Sequence, residues 1–283
     1  MSQELTDVAV GAAREGAEVL RRCFRTADLE VHEKELHDFV TAADHESEAR
    51  IVAELQRHFP DHGVLAEERG LVASEGSAYQ WIIDPLDGTS NFMQGLPVFS
   101  ISIACRHENE IVAGVVLDPM GDNVFTASVD EGAFWNGRPM RTSSRNGLAG
   151  AFLATGYPFR TRQALDLYLE AFRAVFLEAR AIRRCGSAAL DLAYTAAGVY
   201  DGFFELRLSP WDFAAGSLLL REAGGRITDL DGGDNYFRSG NLVAGPAPVH
   251  GELLSTLQGV LSESGIEAVD PARNISGVPV VEQ

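Results

Sequence analysis

Apolar residues recur at helical spacing where the chain opens. Leu5, Val8, Ala12, Val19, Leu20 and Phe24 share one face, and Ala49, Val52, Leu55 and Phe59 repeat the pattern. Two amphipathic helices are therefore predicted. The period then shortens. The runs VFSISIAC from 98, IVAGVVLD from 111, NVFTAS from 123 and AFWN from 133 are separated by polar or glycine-bearing turns, which predicts an antiparallel sheet packed on those helices.

Past the polar stretch RTSSRNG at 141 to 147 the texture changes. AFLATG, AIRRC, DGFFEL, RITDL and NLVAG read as strands. Between them lie helical segments near 162 to 179, from about 187, at WDFAAGSLLLREAGG from 211 and at VHGELLSTLQGVLSE from 249. The expected division is an N-terminal α+β half over 1–147, a C-terminal α/β half over 148–265 and a loosely held tail over 266–283. Neither an internal repeat nor a low-complexity tract is present.

Composition narrows the class. Of 283 residues, 23 are Lys or Arg and 41 are Asp or Glu, a formal charge of −18 that repels nucleic acid and anionic membranes. It also disfavours phosphate substrates unless a local cation reverses the field. Cys23, Cys105 and Cys185 form no CxxC pair and suggest neither a disulfide framework nor a zinc knuckle. With no apolar leader and no run long enough to span a bilayer, a soluble cytoplasmic protein is expected.

The chemistry concentrates in WIIDPLDGTSNF, residues 81 to 92. Asp84 ends a buried apolar strand, where an uncompensated carboxylate is costly. Pro85 cannot continue the ladder, so a turn is expected there that returns Asp87 beside Asp84. Between 70 and 105 there is no basic side chain, which makes a hard divalent cation such as Mg²⁺ the economical counter-charge. Gly88-Thr89 offers unobstructed backbone N–H groups near a helix start at Ser90-Asn91, which would cradle an anion. Each piece also has a plainer reading: an Asp-x-x-Asp-Gly turn, a solvated Glu67-Glu68 pair after GVLA, and Asp212 as an N-cap.

Taken in order and spacing, WIIDPLDGTSNF, the upstream Glu67-Glu68 pair and WDFAAGSLLLREAGG resemble the inositol monophosphatase family of Mg²⁺-dependent, lithium-sensitive phosphatases. The resemblance runs from DFVTAADHESE at 38 to NLVAG at 241. RRCGSAALDLAYTAAG and DGFFELRLSPWD look most like its bacterial inositol-1-monophosphatase branch. Departures are Ala66 before the glutamates and AGP after the last strand. The family's basic residue before DFVT aligns with Lys34 only across a one-residue gap.

The resemblance implies a layered αβαβα sugar-phosphatase fold and a homodimer. It implies that Glu67, Asp84 and the Leu86 carbonyl hold one metal, and that Asp84, Asp87 and Asp212 hold a second. Glu67 and Thr89 would orient a water for in-line attack, Asp44 would tune Thr89, and Gly88 and Thr89 would hold the phosphate. For Asp44 the plainer reading is a capping box with Thr41; the two are compatible, and the local resemblance favours the role beside Thr89. Ala188, Asp87 and Glu205 would contact a phosphorylated polyol.

Three rivals stand beside this. A haloacid-dehalogenase-type phosphatase needs its aspartates two apart, whereas here they are three apart. A hydrolase of the same fold could take fructose 1,6-bisphosphate, histidinol phosphate or an adenosine bisphosphate. An interaction protein is the third, since some bacterial relatives act in transcription complexes and Arg183-Arg184 could face a partner. His32 and His37 lack metal-ligand spacing and are expected on an exposed loop; Asn274-Ile275-Ser276 is a sequon irrelevant in a cytoplasm.

Overall fold

The computed structural model describes residues 2–26, 31–35, 38–72, 76–157 and 165–264. The expected tail, the sequon, His37 and the Lys34 side chain lie outside the described residues. In chain order the first elements are α1 (Ser2–Cys23), β1 (Val31–Glu35), β2 (Asp38–Thr41), α2 (Ala42–His58), β3 (Gly63–Ala66), β4 (Gly70–Val72), β5 (Tyr79–Asp87) and α3 (Thr89–Met93). Four hairpin-linked strands follow, β6 (Ser100–His107), β7 (Glu110–Asp118), β8 (Asn123–Ser128) and β9 (Gly132–Trp135), with the short β10 (Arg138–Pro139). The remainder is β11 (Phe152–Thr155), α4 (Leu165–Glu178), β12 (Ala181–Arg183), α5 (Ala188–Ala196), β13 (Gly202–Glu205), α6 (Pro210–Glu222), β14 (Arg226–Thr228), α7 (Tyr236–Ser239), β15 (Leu242–Gly245) and α8 (Ala247–Ser264).

Two sheets are sandwiched by helices. The larger has the order β10-β9-β8-β7-β6-β5-β3-β4 and the smaller β12-β11-β13-β15-β14. Strand alternation distributes side chains into three cores. In β5, Trp81 and Ile83 join Ala13, Leu20 and Ile51 of α1 and α2, while Ile82 faces Leu192 and Phe213 of α5 and α6. In β13, Phe203 joins that same middle core, and Phe204 faces Tyr168 of α4 and Leu253 of α8. The layers are helix, sheet, helix, sheet, helix. At Gly16 α1 closes tightly on α2, since an added Cβ would lie 2.8 Å from both Ser47 Oγ and Ile51 Cδ1.

Several expectations need correction. The four runs from 98 to 136 do pair antiparallel, but the sheet extends beyond them to β3, which pairs with β5 in parallel. Ala49 is exposed, and the buried stripe of α2 instead runs through Ile51, Val52 and Leu55. His32 lies in β1 rather than on a loop. The turn expected at Pro85 is a β-bulge. Asp84 pairs with Ser102 and Asp87 with Ser100, so Pro85 and Leu86 stand opposite Ile101 alone and the strand continues.

Candidate active site

The bulge sets the geometry. In a regular strand, residues three apart point to opposite faces. The extra residue cancels that offset and brings Asp84 and Asp87 to the same face, the one that Ser100 and Ser102 present to α5 and α6. There Ser102 Oγ donates to the Trp211 carbonyl at 3.0 Å, and Ser100 and Ser187 hydroxyls meet at 3.1 Å. Asp84 is 1 % exposed, and its Oδ1 accepts the Leu86 N–H at 3.0 Å. Asp87 Oδ2 accepts both the Ser187 hydroxyl, at 2.6 Å, and the Ala189 N–H, at 2.8 Å.

Directly after the bulge, Gly88 adopts a left-handed φ of 101°. A Cβ there would sit 3.1 Å from the Val98 carbonyl and 3.2 Å from that of Gly186. The chain then enters α3, and Thr89 Oγ1 lies within donating distance of Asp44 Oδ1 (3.2 Å) and the Leu86 carbonyl (3.1 Å). Asp44, buried in the first turn of α2, also accepts from the Thr41 N–H at 2.9 Å and hydroxyl at 2.6 Å. Both readings of Asp44 therefore describe real contacts.

Asp212 is not the N-cap of α6. Ser209 holds that position, and Asp212 Oδ2 accepts its N–H at 2.7 Å from the third helical position. Glu67 follows the last residue of β3, where its N–H extends the ladder to the Ile83 carbonyl at 3.1 Å.

Glu67, Asp84, Leu86, Asp87, Gly88, Thr89, Ala188, Glu205 and Asp212 line one cavity, with Asp44 behind Thr89. Its electrostatics are one-sided. Burial pushes the Asp84 carboxyl well above the usual range, and the charges of Glu67, Asp87 and Asp212 add to the effect. Burial and then Asp212 push Asp87 up to about 7, against the hydrogen bonds from Ser187, Ala189 and Ala188. Glu205 is raised chiefly by burial, then by Asp191 and Asp212, and Arg184 opposes the rise. Among the described residues, the two arginines that line the same cavity, Arg184 and Arg207, are not among the main influences on Asp84 or Asp87.

Among the described residues, no group of three or more His, Cys, Asp or Glu side chains is arranged to hold an ion as it stands. The shared cavity and mutual repulsion nonetheless make the donor set fit a hard cation: oxygens only, buried or half-buried, with negative charge to neutralise. The donor chemistry is the better guide here, because small side-chain rotations change the distances between carboxylates but not their kind.

Several lining or supporting residues escape the motif reading. Ser187 and Ala189 fix Asp87 from α5. Asp191 is 2 % exposed, with Oδ1 lacking a hydrogen-bond partner among the described residues, and Arg184 and Gly156 also line the cavity. Gly156 leaves room for the Glu205 carboxylate, which a Cβ there would push aside from its present place. An N-cap signal at Ser187 was available in CGSAAL; the Gly156 contact joins residues too distant in sequence to carry one.

A layered fold of this kind, with a carboxylate-lined cavity beside a glycine turn, defines a class, and comparison assigns it. Residues 1–262 match the inositol monophosphatase family, and the chain belongs to it. Among curated relatives, Nus factor SuhB of Pseudomonas aeruginosa is 45% identical over 90% of this chain and 96% of its own. Nus factor SuhB of Escherichia coli K12 is 44% identical over 92% and 98%. Among solved structures, the extragenic suppressor protein suhB of Bartonella henselae superposes with a TM-score of 0.87 at 43% identity, over 89% of this chain and 97% of that one. The inositol monophosphatase of Anabaena gives 0.83 at 35% identity, over 93% and 99%.

Proposed function

We propose that this protein is a Mg²⁺-dependent phosphomonoesterase acting on inositol 1-phosphate or a related polyol monophosphate. The observation that carries the reading is the set of buried Asp84 and Asp212 with half-buried Asp87 and Glu67, which repel one another beside the Gly88-Thr89 turn. Glu67, Asp84 and the Leu86 carbonyl, and Asp84, Asp87 and Asp212, are the groups that would hold Mg²⁺. When bound, Mg²⁺ supplies the positive charge that a phosphate ester needs in so acidic a cavity and acidifies the attacking water.

The chain's own residues do the rest. Glu67 and the Thr89 hydroxyl orient the water; Thr89 Oγ takes its proton while handing its own to the Asp44 carboxylate, and the P–O bond to the polyol breaks with the alkoxide taking a proton from solvent water. The Gly88 and Thr89 N–H groups hold phosphate oxygens. Glu205 accepts hydrogen bonds from substrate hydroxyls, with Ala188 beside it, and disfavours a second phosphate at that spot.

Phosphate release would be measured from inositol 1-phosphate, fructose 1,6-bisphosphate, histidinol phosphate and an adenosine bisphosphate, with Mg²⁺ and with EDTA. Highest turnover on inositol 1-phosphate, abolished by EDTA, is expected. Turnover that survives EDTA removes the metal, and preference for a bisphosphate removes the polyol.

The relatives' names favour a second reading, in which the chain also takes part in a transcription complex. Arg183 is exposed on β12, the edge of the smaller sheet, where a protein partner could reach it. The net charge of −18 favours a protein partner over direct nucleic-acid contact. A pull-down whose partner is kept in EDTA and by Asp212→Asn supports this role; loss of the partner on Arg183→Glu would place it at β12. The exposed Leu165, Leu169 and Phe176 of α4 support a homodimer, to be checked by light scattering. No helix among the described residues is long and apolar enough to cross a membrane, and cytoplasmic residence is part of this proposal.

A further inference from the structure

Three polar residues of α2 lie on one face at i, i+3 and i+4, and each touches a different segment of the cavity wall. Asp44 accepts from Thr89 at 3.2 Å. Ser47, fully buried, donates its hydroxyl to the Pro85 carbonyl at 3.0 Å, inside the bulge between Asp84 and Asp87. Glu48, 2 % exposed, uses both carboxylate oxygens: Oε2 accepts the Glu68 N–H at 2.9 Å and Oε1 accepts Arg69 Nε at 2.8 Å.

The consequence falls on Glu67. Its own N–H is tied to Ile83 in the parallel ladder, and the next peptide N–H, that of Glu68, is tied to Glu48. The residue is thus held on both sides at the first position of the 67–69 turn, whose ends are closed by the pairing of Ala66 with Gly70 but whose own peptides are otherwise set by what they donate to. A carboxylate on a strand end is only as well placed as the backbone that follows it. A buried charged acceptor on one N–H is a strong tether.

We propose that Glu48 is a positioning residue for the cation site, and that α2 acts as a template, with Glu48 holding the Glu67 segment and Ser47 holding the bulge. This rests on the metal-dependent reading of the cavity. Glu48 touches neither substrate nor cation; it acts through the backbone. A merely structural Glu48 would serve the fold through its ion pair with Arg69, whose side chain is 38 % exposed.

The two roles separate by substitution. Glutamine at 48 keeps a carbonyl oxygen for the Glu68 N–H and loses the charge toward Arg69; alanine loses both. The full chain would be titrated with MgCl₂ by calorimetry without substrate, at a temperature where circular dichroism in EDTA shows every variant folded. Glu48→Ala is expected to raise the Mg²⁺ Kd about tenfold, in line with outer-shell partners of metal ligands. Glu48→Gln should stay within about threefold of wild type, because the tether survives. Wild-type affinity in Glu48→Ala, or equal losses in both variants, overturns the proposal.

Ser47→Ala, which loses one hydrogen bond and no charge, keeps the test decisive if Glu48→Ala does not fold. A rise in Kd of about threefold or more is expected, and an unchanged value overturns the template. Absence of Mg²⁺ binding by the wild type would remove the metal reading and this inference with it. Binding by the wild type that no variant weakens would remove this inference alone.

Discussion

Replacing Asp87 by Asn should make the metal-free protein more stable while disabling its site. Burial and Asp212 push the Asp87 carboxyl from 3.8 up to about 7. A carboxyl raised on folding contributes its stability below the unfolded value and loses it as pH rises through the folded one. The window is therefore pH 3.8 to about 7. At about 1.4 kcal/mol per pH unit the full displacement corresponds to roughly 4 kcal/mol lost by pH 8. Asp87 is only partly buried at the cavity wall, and solvent screening reduces this to about 2 kcal/mol.

Asparagine avoids the ionisation and can keep the local bonds. Ser187 and Ala189 both donate to one oxygen of Asp87, so an amide carbonyl placed there satisfies both. Removing the charge also lessens the repulsion on Asp84, which adds in the same direction. In EDTA at pH 8, Asp87→Asn should melt about 5 °C above wild type, with the gap closing toward pH 4. Saturating Mg²⁺ should reverse the order, because only the wild type gains fully from binding. The assay is thermal denaturation by circular dichroism across pH in each condition. A variant equal to or below wild type in EDTA at pH 8, or a gap independent of pH, refutes the electrostatic account.

Asp84→Asn should abolish Mg²⁺-dependent phosphate release with folding kept, since Trp81 to Ile83 still bury the strand; near-wild-type rates at saturating Mg²⁺ would contradict it. Glu205→Gln should slow inositol 1-phosphate turnover by about tenfold while sparing a small generic phosphate ester, and equal losses on both would exclude a substrate-hydroxyl role. Gly88→Ala should cost about 1–2 kcal/mol from the left-handed φ of 101° and lower turnover beyond that, because its Cβ crowds Val98 and Gly186. Denaturant melts and steady-state rates of the folded variant separate those two effects.

Periodicity was sufficient to place the long elements. Apolar stripes in α1, α2 and α6 and β-rich runs in β5 to β9 are local properties, written within a few turns of the chain. Shorter or more polar elements left no such trace. β1 reads VHEKE and the two residues of β10 read RP, with no alternation to detect. The order of layers was equally hidden to periodicity. Trp81 and Ile82 are both apolar, and nothing in either residue says that one faces α1 and the other α6; that part came from the family resemblance.

The site shows more closely where local reading stops. Pro85 announced that the ladder must break, and a turn and a bulge both satisfy that requirement. The choice belongs to β6, whose Ser102 and Ser100 pair with Asp84 and Asp87 across the antiparallel ladder. Only a bulge leaves both carboxylates on the face that α5 and α6 cover, where burial raises their proton affinity and Asp212 can reach them. The same logic explains why Ser47 and Glu48 escaped notice. Helical periodicity is searched through apolar residues, whereas this face of α2 is polar, buried and satisfied by backbone groups at residues 68 and 85. A polar stripe looks solvated until the fold supplies its partners, so the residues that position the candidate site were the ones the sequence could least distinguish from surface.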